Sequence, residues 1–221
     1  MAYGVNAPFG LQPRRMITGA PWNGQVNEYP IADSYATSLF TGDPVAPANN
    51  GTIARGATST GILGVFMGCT YINTSGVLVT SPYWPANTAT FQAQGAKALV
   101  VDDPNVLFDI QVSNNGNTIS GMQAADINGN ASFVLGGNGG GATNPAAGST
   151  VTGQSAYYLD YATIATTATL SLKIMALTPY PGNIFATAAP AVVGVGAYNN
   201  VLVIINNHIL KGHTGTAGVH A

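Results

Sequence analysis

Apolar and polar positions alternate with period two along much of the chain. Val106, Phe108, Ile110 and Val112 alternate with Leu107, Asp109, Gln111 and Ser113, which predicts a strand with one mostly apolar face. Leu170, Leu172, Ile174 and Ala176 alternate with Ser171, Lys173 and Met175 in the same way. Ala98–Val101 and Val201–Ile205 are short continuous apolar runs, the pattern of strands buried on both faces. Tyr71-Ile72 and Val77-Leu78-Val79 flank Asn73-Thr74-Ser75-Gly76, a hairpin with a four-residue turn. Asn114–Asn117 and Asn199-Asn200 read as further turns. Helix is scarce: Met122 to Ile127 has room for one or two turns, and Phe185 to Ala189 for another before Pro190. The predicted class is all-β, an antiparallel sandwich or barrel of about eight to ten strands with an extended N-terminal arm.

The arm is residues 1–56, the β body residues 57–210, and a loose tail residues 211–221. Six prolines (Pro8, Pro13, Pro21, Pro30, Pro44 and Pro47) punctuate the arm and block helices and central strands. A short strand is expected near Asp33 to Phe40. With no periodic face, the arm cannot bury Phe9, Leu11, Met16, Ile17 or Trp22 within itself, so it is disordered or laid across something else. Phe9, Leu11, Arg14, Arg15 and Trp22 are therefore its candidate partner-contact residues. Removing residues 1–20 is expected to leave the body folded. Gly136-Gly137-Asn138-Gly139-Gly140-Gly141 reads as a loop, because no Gly-Lys-Ser/Thr follows to make a phosphate cradle.

Composition then narrows the function. Charged residues are only 6% of the 221, against about a quarter in ordinary domains, and glycines number 28. A nearly neutral surface favours association. The six lysines and arginines are scattered, too few for a phosphate-tracking groove, so no nucleic-acid partner is expected. No apolar run reaches the ~20 residues of a membrane span. The opening Met1-Ala2-Tyr3-Gly4-Val5-Asn6 has neither a basic nor an apolar leader region. An extracellular-looking surface without an export signal points to a virion component released by lysis.

No catalytic residue, cofactor site or metal site is assigned. Asp102-Asp103-Pro104-Asn105 is dense in carboxylates but has the chemistry of a turn. His208, His213 and His220 sit at spacings that match no compact ligand set, and no Ser/His/Asp or Cys/His arrangement can be placed. Cys69 lies in an apolar run and reads as a core thiol. The Asn50, Asn73 and Asn130 sequons are incidental without a leader. Tyr83 and Trp84 read as packing residues or as an interface or sugar-stacking platform. A glycan hydrolase needs two positioned carboxylates, and the eight acidic residues lie mostly in turns and the arm.

Tyr3-Gly4-Val5-Asn6-Ala7-Pro8-Phe9-Gly10-Leu11-Gln12-Pro13, Gly64-Val65-Phe66-Met67-Gly68-Cys69, Tyr83-Trp84-Pro85 and Val101-Asp102-Asp103-Pro104 resemble structural proteins of tailed bacteriophages. In particular they resemble the capsid decoration, or cement, proteins of short-tailed phages. The resemblance implies a β-rich and often trimeric protein that clamps major capsid protein subunits on the outer surface of the head. It also implies synthesis in the host cytoplasm, and it carries over no catalytic residues. The alternative is a head-fibre or tail component that contacts host surface glycans; a sugar-binding module using Tyr83 and Trp84 is a third reading.

Overall fold

Short strands carry the chain in both halves of the computed structural model, which describes residues 6–58, 60–91, 95–113, 121–136, 147–186, 198–212 and 215–219. The first half supplies β1 (Gln12–Met16), β2 (Asn27–Ile31), β3 (Leu39–Phe40), β4 (Pro44–Pro47), β5 (Ile53–Arg55), β6 (Gly64–Ile72), β7 (Leu78–Ser81), β8 (Tyr83–Trp84) and β9 (Ala96–Val101). The second supplies β10 (Val106–Ser113), β11 (Asn130–Ala131), β12 (Phe133–Leu135), β13 (Tyr157–Asp160), β14 (Leu172–Leu177) and β15 (Asn200–Ile205). Helix among the described residues is confined to single 3-10 turns at Ala124–Asp126, Tyr161–Thr163 and Ile209–Lys211. The first of these falls inside the stretch Met122–Ile127 read as a short helix. Most of the second expected helix, the Asn114–Asn117 turn and most of the glycine-rich loop lie outside the described residues.

The protein is all-β and mostly antiparallel, in two linked sheets. In one, β4, β5, β2, β9 and β6 pair in that order, and β4 pairs back onto β6. Five strands thus close into a ring, which leaves no free edge among them. β7 is added outside the ring on β6, through the hairpin expected at Asn73–Gly76. The other sheet runs β11, β14, β15, β10, β13, β12, with β1 also paired to β10. β3 and β8 form a separate two-stranded ribbon.

The two sheets have separate cores that meet at β6 and β9. Side chains alternate across a strand, so Phe66 and Val100 enter the barrel core while their neighbours Val65 and Val101 join the core of the other sheet. That explains why Ala98–Val101 reads as a continuous apolar run. β10 also differs from its expected one-faced pattern: all eight of its residues are buried. It is flanked by β15, by β1 and, at its end, by β13, and Asp109 and Gln111 are enclosed with the rest. Where the sheets meet the backbones come close. A Cβ on Gly64 would stand 2.2 Å from the carbonyl oxygen of Val101, a distance only glycine avoids.

Residues 6–56 are extended, as expected, but they are laid across the body itself and form five of its strands. β1 pairs with β10 from Gln12↔Asp109 to Met16↔Val106, and β2 pairs with β9 from Asn27↔Val100 to Ile31↔Ala96. Position 56 is therefore not a structural boundary. The prolines are accommodated by location: Pro13 lies in β1, which among the described residues pairs with β10 as its one strand neighbour, and Pro44 and Pro47 end β4. Pro30 faces β9 on one side, while β5 meets β2 at Ile31 alone.

The tail also differs from its loose reading. Thr216 N–H donates to Asn206 Oδ1 at 2.9 Å, and Asn130 Nδ2 donates to the Thr216 carbonyl at 2.7 Å. Gly218 and Val219 amides bond to Thr166 and Asn128 carbonyls at 3.0 and 2.9 Å. His213 and His220 lie outside the described residues.

Candidate functional site

The candidate contact residues fall in two places. Arg14 and Arg15 are exposed on β1, and Trp22 is half-buried just after it. The Arg14 Nε lies 3.6 Å from Asp109 Oδ2, while Thr178 Oγ1 donates to Asp109 Oδ1 at 2.7 Å. Burial, chiefly, raises the Asp109 carboxyl above its ordinary range. Phe9 is half-buried, and its carbonyl accepts from Gln12 Nε2 at 3.1 Å.

Leu11 and Trp84 are corrections to the contact set. Both are 0% exposed, because each fills a core: Leu11 between the sheets and Trp84 inside the barrel. Trp84 meets Tyr71 edge to face, with ring centroids 5.3 Å apart. Tyr83 stacks on Phe40 at 5.5 Å and 11°. The sugar-stacking platform read from Tyr83 and Trp84 therefore does not form: successive residues of a strand point to opposite faces, and Trp84 points inward.

Beside β1 the fold builds a cleft that the sequence did not reveal. The chain reverses after Met16, whose amide bonds to the Ala20 carbonyl at 2.8 Å, and Arg15 bridges to Pro21. The Ile17 amide donates to Asn105 at 2.8 Å, which ties this reversal to the turn after β9. The result is a cleft of about 200 Å³ lined by Met16, Trp22, Gln25, Asp102, Asp103 and Val106, among others. Asp102 is held from behind: Asn27 Nδ2 donates to both its oxygens at 2.9 Å, and Tyr29 OH donates to Oδ2 at 2.6 Å. Burial and this carboxylate push the Tyr29 hydroxyl up to about 12. Asp103 Oδ1 accepts from Asn105 N–H at 2.8 Å, the turn geometry expected of Asp102–Asn105. Nothing local in the sequence joins Trp22 to Asp102; the β2–β9 pairing does.

His208 sits behind the acidic turn, 1% exposed. Its Nδ1 accepts from the Leu210 amide at 3.1 Å, which places the neutral ring's proton on Nε2. Burial lowers its pKa to about 4, against a smaller opposing pull from Asp102. Among the described residues no group of three or more His, Cys, Asp and Glu is placed to hold a metal ion.

One buried polar group has the composition of a catalytic site. The Arg55 Nε lies 3.6 Å from Asp43 Oδ2, which also accepts from the Phe40 amide at 3.0 Å. Arg55 Nη2 donates to the Ser38 carbonyl, and Tyr35 OH accepts from the Arg55 amide at 2.9 Å. Burial raises Asp43 to about 6, a value suited to acid–base work. Yet Asp43 is 0% exposed, so no substrate atom reaches its carboxyl; the pair staples β4 to β5.

Four exposed apolar residues gather elsewhere. Ile72, Val77, Leu78 and Phe91 are 40, 56, 68 and 61% exposed at the tip of the β6–β7 hairpin. Ile72 and Leu78 are cross-strand partners, and the Phe91 amide bonds to the Ile72 carbonyl at 2.9 Å, so the four form one patch. Val79 points the other way, toward the barrel core. β7 pairs only with β6 among the described residues, so its outer edge lies beside the patch.

No family model matches the chain, and no curated protein or solved structure matches it. No helix among the described residues is long and apolar enough to cross a membrane.

Proposed function

We propose that this chain is a non-enzymatic structural protein of a phage virion, a decoration protein that binds the outer surface of the head and reinforces it. The observation that carries the reading is the uncharged patch of Ile72, Val77, Leu78 and Phe91 beside the β7 edge. Contiguous exposed apolar side chains mark interaction surfaces. Here they stand on a chain with 6% charged residues, whose buried polar groups are enclosed away from any substrate. The resemblance in Gly64–Cys69 and Val101–Pro104 supports the same reading, since those residues form the crossing of β6 and β9 that shapes the body.

The mechanism is linkage. A protein that binds only the assembled lattice stabilises it by RT ln(1 + [L]/Kd), about 2.7 kcal/mol per site at a hundredfold excess over Kd. A trimer on a symmetry axis adds avidity across neighbouring major capsid protein subunits. Neither a nucleic acid nor a membrane is a partner in this reading, and no cofactor takes part. The chain acts where it is bound, on the head, after synthesis in the host cytoplasm.

The test is deletion of the gene followed by heating of purified heads. Heads that assemble without the protein but leak at lower temperature, and are restored by adding it back, are the expected result. Failure of heads to form would make it a lattice component. Heat-resistant heads that no longer adsorb to cells would favour the host-contact alternative.

A further inference from the structure

The cleft beside β1 combines an indole, apolar side chains and two carboxylates. Trp22 is half-buried and lines it together with the apolar Met16 and Val106 and the carboxylates Asp102 and Asp103. No lysine, arginine or histidine lines it among the described residues. Arg15 is next to it in sequence but engages Pro21 through its backbone, with its side chain exposed. His208, behind the turn, is neutral near pH 7 and adds no positive charge. The cleft thus carries two formal negative charges beside an indole, with no cationic side chain lining it among the described residues.

We propose that this cleft is a docking site for an arginine side chain carried on a partner protein. A guanidinium is planar, so it stacks on an indole face while its N–H fork reaches carboxylates. An ammonium lacks the plane, and a sugar would leave the charge of both carboxylates unmatched. The carboxylates retain acceptor capacity. Each offers about four lone-pair sites; Asp103 gives one to Asn105 N–H, and Asp102 gives its share to Asn27 and Tyr29, which hold it in place. A volume of about 200 Å³ admits one such side chain rather than a folded segment. This chemistry stands without the virion reading, which supplies only the identity of the partner, a basic residue on the capsid surface.

The full chain provides its own probe. It has two tryptophans, and Trp84 is sealed in the barrel core, so an added solute reports through Trp22. Titration with N-acetyl-arginine methylamide, followed by tryptophan fluorescence and by calorimetry, is expected to saturate with a Kd on the order of millimolar. Affinity should fall with added salt and be weaker for the lysine analogue. Free arginine should also bind more weakly, since its own carboxylate faces Asp102 and Asp103. Asp103→Asn keeps the turn acceptor and should weaken binding roughly five- to tenfold. Trp22→Leu keeps apolar packing and should abolish the calorimetric signal; if it unfolds, Trp22→Phe should bind with intermediate affinity. The proposal is overturned if no response appears up to about 100 mM, if Asp103→Asn binds as well as the native protein, or if a neutral oligosaccharide saturates Trp22 at lower concentration. Loss of head binding has no bearing on that titration, so failure of the virion reading and failure of the cleft remain distinguishable.

Discussion

Two buried titratable side chains pull stability in opposite directions as pH changes. His208 has a folded pKa of about 4 against an ordinary 6.5, so on acidification the unfolded chain takes the proton first. Stability is lost from about pH 6.5 down to about 4 on its account. Asp43 has a folded pKa of about 6 against an ordinary 3.8, so the folded state takes its proton first and acidification through that window stabilises. Asp109, also raised, acts in the same sense as Asp43. The His208 and Asp43 effects are each on the order of a few kcal/mol and oppose one another. Urea denaturation of the wild type is expected to give a nearly flat profile between pH 6 and 4. His208→Gln should gain stability on acidification and Asp43→Asn should lose it; Asp43→Asn also removes the charge opposite Arg55, a cost felt above about pH 6, where the wild-type carboxylate is ionised. A wild type that falls as steeply as Asp43→Asn would mean that Asp43 stays ionised throughout. Cys69 gives a simpler test at this scale. Burial pushes its thiol up to about 12 and its exposure is 0%. A disulfide reagent should therefore leave the native protein unlabelled and modify one thiol in denaturant, whereas rapid native labelling would contradict the barrel core.

Individual strands divide cleanly into those legible in the sequence and those that were not. β10, β14, β15, β9 and the β6–β7 hairpin have four or more residues of regular pattern, and the alternation or apolar run marked each of them. β1, β2 and β4 carry prolines and β3 and β5 have only two and three residues, so none shows a sustained alternation. Their pairing is long-range: β1 finds β10 nearly a hundred positions away, a relation no local pattern holds. The same limit hid the cleft, since Trp22 and Asp103 are neighbours only because β2 pairs with β9. Cys69 as a core thiol and Asp102–Asn105 as a turn were readable because both follow from local chemistry. The practical consequence concerns the N-terminus. Leu11 is 0% exposed and packs in the core between the sheets, and its amide bonds to the Gly42 carbonyl at 2.9 Å. Leu11→Ala should cost about 2–5 kcal/mol. Removal of residues 1–20 also strips β1 from β10 and should yield an aggregated or unfolded product. A soluble truncation with unchanged thermal unfolding would restore the separable arm.

At the scale of the whole molecule, the barrel closes its own edges and leaves an apolar surface at the β6–β7 hairpin. The ring β4-β5-β2-β9-β6 has no edge to offer, but β7 stands outside it with one side unpaired among the described residues. Open edges recruit further strands unless charge or distortion prevents it. Leu78-Val79-Thr80-Ser81 carries no charge and no proline, and Leu78 lies in line with Ile72, whose carbonyl accepts from the Phe91 amide. A second copy presents the same features, so pairing through this region needs no other partner. A trimer would bring three hairpin tips to one axis, the arrangement required of a protein that clamps a symmetric lattice. Leu78→Asp and Phe91→Asp each place a charge in the patch without touching a core, as these side chains are 68 and 61% exposed. Each should shift a light-scattering mass from oligomer toward monomer and leave the unfolding midpoint of the monomer nearly unchanged, since exposed substitutions usually cost less than about 0.5 kcal/mol. Charge repulsion among three copies multiplies the effect at a shared axis, so Leu78→Asp should dissociate the assembly more completely than Leu78→Ala. If both aspartate variants keep the native mass, the interface lies on another face. If the native chain is already a monomer at micromolar concentration, the patch is left for the capsid shell, and the same variants should then weaken attachment to purified heads.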